Sequence, residues 1–261
     1  MAEFRKMTYT ERLRARIEKT GSHLCVGLDP RPHLIQGDVY DFLRRVVDAV
    51  SDAAAAFKPN IAYFEAMGVY GYKMLNDLLH YIPEAVPVIL DAKRGDIPET
   101  QAYYAKAYFE HWNVAAVTVN PYLGFDACEP FLSYGDKGVY VLAITSNAGA
   151  EELQLKKTED GFVFDHVLRM AEQSKSYPAT LGFVLGLTQL TDERMARIPD
   201  APLLIPGLGA QNGDARRLSA LRRPESVVVN VSRGVLYDSG HNGFHGRAID
   251  WRDKINHAIH G

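Results

Sequence analysis

The stretch VPVILDAK (86–93) is apolar through Leu90 and then turns charged at Asp91 and Lys93. A short continuous apolar run without alternation suits a strand covered on both faces, as in a parallel sheet. Seven more runs of this kind lie outward from it: HLCVGLD (23–29), AAFKPN (55–60), AAVTVN (115–120), GVYVLAITS (138–146), TLGFVLGLT (180–188), PLLIPGLG (202–209) and SVVVNVSR (226–233). Helical stretches alternate with them. One is expected at about 8–20; Asp41–Val50 puts Phe42, Val46 and Ala49 on one face, and Asp165–Glu172 does the same with Val167, Leu168 and Ala171. Thr100–Trp112 spaces Tyr104, Tyr108 and Trp112 four apart, the pattern of a core or interface stripe. Eight strands alternating with helices, with no Pro/Gly/Ser-rich linker, predict an α/β chain folded as one (β/α)8 TIM barrel over 1–261. An open doubly wound sheet is the alternative, but its G-x-G-x-x-G fingerprint is missing after the first strand, which reads GLDPRP (27–32). The polar segment Ala148–Asp160 is too long for a plain turn and reads either as a mobile flap over the site or as a solvated loop.

The chain has 261 residues, 47% hydrophobic and 23% charged, the range of a soluble globular protein. A chain this long buries roughly three quarters of its unfolded surface and needs no disulfide or metal staple. The net charge of −3, with no basic block, excludes the electrostatic footprint of a nucleic-acid binder. No window reaches 18 apolar residues, and the N-terminus is mixed in charge. Neither a membrane span nor a signal peptide is expected, and the cytoplasm is the expected compartment. Cys25 and Cys128 are too few for a disulfide framework or a four-Cys zinc site and read as reduced, buried thiols. His241 and His245 have an H-x-x-x-H spacing that would suit a metal on a helix. Gly243 and Gly246 argue against a helix there, no third ligand is evident, and a surface loop is the expected structure.

In a barrel, chemistry gathers at the C-terminal ends of the strands. Those ends are polar here: Asp29, Lys58 and Asn60, Asp91 and Lys93, Ser232 and Arg233. The densest cluster is Asp91-Ala-Lys93-Arg-Gly-Asp96-Ile97. Strand alternation predicts that Asp91 and Lys93 share the face of Ile89, with Asp96 beyond a bend at Gly95. The ammonium of Lys93 then sits among carboxylates, with Lys58 arriving from the neighbouring strand. Opposite charges about 4 Å apart attract by roughly 4 kcal/mol at an effective dielectric of 20. Such a setting keeps Lys93 protonated, a proton donor rather than a Schiff-base nucleophile. A structural ion-pair network is the plainer reading of D-x-K-x-x-D by itself; the companions Lys58 and Asp29 favour chemistry. A second feature suits a phosphate: Pro206-Gly207-Leu-Gly209-Ala-Gln211 after strand seven and Asn230-Val-Ser232-Arg233-Gly234 after strand eight. Glycines let backbone N–H groups approach an anion, barrels often hold phosphate in these two loops, and the fork of Arg233 can take two oxygens.

These residues resemble the orotidine 5′-phosphate decarboxylase family, in its longer bacterial branch. The likeness runs from GLDPRP (27–32) to NVSRGVL (230–236), through FKPN (57–60), TSNAG (145–149) and, most specifically, Asp91–Ile97. It implies a cofactor-free and metal-free carbon–carbon lyase that turns orotidine 5′-monophosphate into uridine 5′-monophosphate, the last step of pyrimidine nucleotide synthesis. By the same likeness Asp29 and Lys58 would meet the ribose hydroxyls, and Lys58, Asp91, Lys93 and Asp96 would form a charged network in which Lys93 protonates C6. Ser146 would bind the pyrimidine edge, and Gln211 with Arg233 the phosphate. Asp96, Ile97 and Thr100 would cross the interface of a homodimer; Pro98 and Gln101 beside Thr100 depart from the usual pattern. Related barrels with the same motif act on sugar phosphates with magnesium and carry a carboxylate at the end of strand two. Here that place holds Lys58, with Glu65 seven residues on, which argues for the metal-free reaction. A barrel that binds a phosphate ligand without turnover is the other class; the presence of all four charged residues weighs against it.

Overall fold

A computed structural model gives the fold and describes residues 7–207, 215–221, 224–239 and 243–261. The eight expected runs form β1 (Leu24–Leu28), β2 (Ala56–Pro59), β3 (Ile89–Arg94), β4 (Ala116–Val119), β5 (Gly138–Ile144), β6 (Thr180–Leu185), β7 (Leu203–Pro206) and β8 (Val227–Val231). They pair in parallel in the order β2-β1-β8-β7-β6-β5-β4-β3. Single bridges Phe57–Val88 and Asn60–Asp91 join the two ends, so the sheet closes on itself and the open-sheet alternative falls away.

The barrel interior explains why the site can lie at only one end. Each strand sends one side chain into a buried layer: Cys25, Ala56, Ile89, Ala116, Tyr140, Val184, Leu204 and Val228. Helix α1 (Tyr9–Thr20) lies under that layer, with Tyr9, Leu13 and Ile17 packed into it. Its start is fixed by a capping box, Thr8 with Glu11, and its end by Gly21 in the left-handed conformation. The Tyr9 and Tyr140 hydroxyls meet at 3.0 Å, and Gly138 leaves the space that the Tyr9 ring fills. The N-terminal mouth is therefore plugged. Because side chains alternate along a strand, positions two further on share the same inward face, and there the layer turns polar at Lys58, Asp91, Thr118 and Asn230.

Outside the barrel, α2 (Val39–Val50) buries Phe42, Val46 and their neighbours, as its periodicity predicts. Short α3 (Ile61–Glu65) and then α4 (Gly68–Tyr81) follow β2, and α5 (Pro98–Lys106) follows β3. The chain continues from α5 as a π-helical turn, Ala107–His111, and Tyr104, Tyr108 and Trp112 stack with centroids 6.0 and 5.6 Å apart. Two expectations are corrected. Asp165–Glu172 is broken at Arg169 into Val163–Leu168 and Met170–Gln173, with Phe164, Leu168 and Met170 buried and Val167 and Ala171 packed against the core only in part. Residues 148–160, read from the sequence as flap or loop, hold a 3-10 turn, Ala148–Glu152, that leads to a hairpin pairing Lys157–Thr158 with Gly161–Phe162. His245 and both nearby glycines lie in a helix, Gly243–His260, whose packing through Ala248, Ile255 and Ile259 outweighs the cost of glycine. His245 contacts Asp52 at 3.2 Å, and His241 lies outside the described residues. Cys25 and Cys128 are free and buried, and burial pushes both thiols up to about 12.

Candidate active site

A cavity of about 880 Å³ opens at the C-terminal end of the strands. Asp29, Lys58, Asn60, Asp91, Lys93, Ser146, Pro206, Gly207, Ser232, Arg233 and Gly234 all line it, the strand-end residues picked out from the sequence. Gly209 and Gln211 lie outside the described residues. Asp96, Ile97 and Thr100 do not reach the cavity of their own chain. Asp96 accepts the N–H of Ile97 at 2.8 Å, and Ile97 stands 54% exposed.

Asp91 organises the floor. It is 7% exposed, and Lys58 beside it 4%. Lys58 Nζ donates to Asp91 Oδ2 at 2.7 Å, while Lys93 Nζ donates to Oδ1. Burial alone would push the Asp91 carboxyl up, but the two ammonium groups overcome this and hold it well below the usual carboxylate range. Burial likewise pulls Lys58 down, and Asp91 with Asp29 holds it above the ordinary lysine value instead. Both stay charged over the whole neutral range. Lys93 differs from Lys58 in being half exposed, so its ammonium borders the open cavity.

Regular alternation does not explain how Lys93 gets there. Leu90 pairs with Val117 and Arg94 with Val119, so three residues of β3 face Thr118 alone, and Lys93 takes φ 48°. This bulge, invisible in a run that reads as an ordinary strand, turns Lys93 back over Asp91. Arg94 secures the far side: it donates to the Tyr108 hydroxyl and to Glu65 Oε1, each at 2.7 Å, with its guanidinium 4.9 Å above the Tyr104 ring.

The opposite wall is polar and incompletely satisfied. Among the described residues Asp29 Oδ1, Asn230 Oδ1 and Ser232 Oγ are buried without a hydrogen-bond partner, the kind of group that a bound polar ligand completes. The β1 strand has glycine at 27 because a Cβ there would lie 2.7 Å from Ser232 Cβ. Tyr237 was not picked out from the sequence; its hydroxyl donates to the Asp29 carbonyl at 3.0 Å and accepts the Arg31 N–H at 2.8 Å. Gly234 gives Trp251 room against the phosphate-type loop, since a Cβ would lie 2.5 Å from the indole nitrogen. Ser146 follows β5, and Gln154 ties that rim by accepting the Thr145 N–H at 2.8 Å; the wall contributed by this segment ends at Asn147.

The chain as a whole has counterparts among known proteins. Residues 22–242 match the model of the orotidine 5′-phosphate decarboxylase / HUMPS family. The chain belongs to that family. An orotidine 5′-phosphate decarboxylase of Paracidovorax citrulli is 43% identical over 274 residues, covering 97% of this chain and 99% of that one. The solved OMP decarboxylase of Leishmania donovani superposes with TM-score 0.84 at 32% identity, covering 98% and 100% of the two chains. The UMP synthase of the same organism gives TM-score 0.87 at 35% identity; the match covers 97% of this chain but 56% of that longer one.

Proposed function

We propose that this chain is a lyase that decarboxylates orotidine 5′-monophosphate to uridine 5′-monophosphate and CO2. The observation that carries the reading is Asp91 held between Lys58 and Lys93 on the cavity floor, with the half-exposed ammonium of Lys93 toward the open space. As CO2 leaves, the electron pair of the broken bond remains at C6 of the pyrimidine, and the Lys93 ammonium stabilises that charge and then transfers its proton to C6. Fixed charge aimed at developing charge is commonly the largest catalytic contribution. The unsatisfied oxygens of Asp29, Asn230 and Ser232 are suited to the ribose hydroxyls, Arg233 with Gly207 and Gly234 to the phosphate, and Ser146 to the pyrimidine edge. Phosphate binding far from the breaking bond supplies energy that orients the ring.

The site needs a second copy of the chain. Asp96, Ile97 and Thr100 do not line their own cavity, and in a homodimer they would complete the partner's charged network. A related magnesium-dependent sugar-phosphate barrel is the second reading. Two ammonium groups on the floor would repel a cation, and among the described residues no group of three His, Cys, Asp or Glu is placed to hold one. No helix among the described residues is long and apolar enough to cross a membrane.

The test follows orotidine 5′-monophosphate by ultraviolet absorbance with and without EDTA. Fast loss of the orotate band, indifferent to chelator, is the expected result. No turnover from folded protein, together with magnesium-dependent turnover of a sugar phosphate, would transfer the chain to the second reading.

A further inference from the structure

The bulge in β3 creates a problem that one side chain of β4 solves. Between Leu90 and Arg94 the register with β4 shifts, which takes the N–H of Lys93 out of the regular ladder. It donates instead to Thr118 Oγ1 at 2.9 Å. An N–H can only donate, so the Thr118 oxygen accepts there and its own hydrogen is free to point elsewhere. It goes to Asp91 Oδ1 at 3.0 Å, the same oxygen that takes the ammonium of Lys93. Thr118 is 1% exposed and lies on the inward face of β4, in the ring of polar positions that forms the cavity floor. One hydroxyl thus grips both ends of Lys93: the backbone directly, and the ammonium through Asp91.

We infer that Thr118 is a positioning residue, whose hydroxyl spans the bulge and fixes the Asp91 carboxylate so that Lys93 is aimed at the reacting carbon. The inference rests on the reading of Lys93 as proton donor. Buried donors and acceptors of this kind, fully paired, specify one geometry. Valine would fill the same volume on the strand while offering neither contact; serine would keep both.

The experiment compares wild type, Thr118→Ser, Thr118→Val and Thr118→Ala in turnover of orotidine 5′-monophosphate, with melting curves and with binding of uridine 5′-monophosphate as a ligand that does not react. Thr118→Ser is expected within about threefold of wild-type kcat. Thr118→Val is expected to lose about 10- to 100-fold in kcat, or ~1.4–2.7 kcal/mol, with KM and product affinity within about threefold. A valine variant within twofold of wild-type kcat, a loss carried by KM, or a serine variant as slow as valine would overturn the inference. If the valine variant fails to fold, serine against alanine decides: a fast serine and a slow alanine support the role, and equal rates end it. A wild-type protein with no turnover at all would sink the decarboxylase reading, and this inference with it.

Discussion

The Lys58–Asp91–Lys93 cluster combines two buried charges with one at the water's edge, and this makes its members unequal. Lys93→Ala leaves Asp91 its buried partner Lys58, so the variant is expected to fold while kcat falls at least ~10³-fold, a loss within what general-acid and electrostatic contributions supply. Steady-state kinetics beside a melting curve checks it. Asp91→Ala instead strands a buried ammonium, and breaking a buried pair costs about 3–5 kcal/mol; urea unfolding measures it. The pH dependence has a fixed sign. Asp91 is lowered in the folded state, so its contribution is complete above the unfolded carboxylate value of about 3.9 and is lost as pH falls through the folded one. Lys58 is raised, so its contribution is complete below about 10.4 and fades only as pH climbs through its folded value. Stability in urea is therefore expected to fall more steeply with acid below about pH 4 in wild type than in Asp91→Asn. Asp91 and Lys93 were legible as sequence because charge at the end of an apolar run has few uses. Thr118 was not, since a threonine in AAVTVN (115–120) is ordinary strand composition until the bulge opposite it is known.

Elements were legible where a local pattern decides them. Seven strands stand within their expected runs and β3 passes the end of its run by one residue, Arg94, because continuous burial on both faces writes itself directly into composition. The failures came where tertiary contact overrode local preference. Gly243 and Gly246 argue against a helix locally, yet Phe244 packs edge-on to Phe42 at 5.4 Å and Trp251 fills the space beside Gly234. The plug under the barrel was expected as a helix, but its role depends on a contact 131 residues away, Tyr9 with Tyr140. That contact is testable through Gly138, where an added Cβ would lie 2.5 Å from the Tyr9 ring. Gly138→Ala is expected to lift α1 and destabilise the fold by about 1–3 kcal/mol, as overpacking does. KM is expected to hold, because the plug and the cavity are at opposite ends of the barrel. Thermal melting with parallel kinetics reads both; a changed KM at unchanged stability would mean that α1 communicates with the site.

At the scale of the molecule, closure of the barrel brings residues from 29 to 251 into one cavity, yet one part of the chemistry expected from the sequence stays outside it. Asp96, Ile97 and Thr100 follow β3, and Ile97, Tyr103, Tyr122 and Leu123 are exposed. Asp96 outside its own cavity, next to exposed Ile97, is what the proposed sharing of the site between two copies predicts. The sequence could name these residues but not their owner, because which chain a side chain serves is a property of assembly. Lys93→Ala and Asp96→Ala subunits, each expected to be inactive alone, separate the two cases. In a hybrid dimer one site takes both defects and the other takes none. Random assortment of equal amounts makes half the dimers hybrid, so the mixture is expected to recover about a quarter of wild-type activity if two-fold sharing holds. A mixture that stays inactive, with hybrids demonstrated by differential tagging, would place Asp96 in its own chain's site and make the subunits independent.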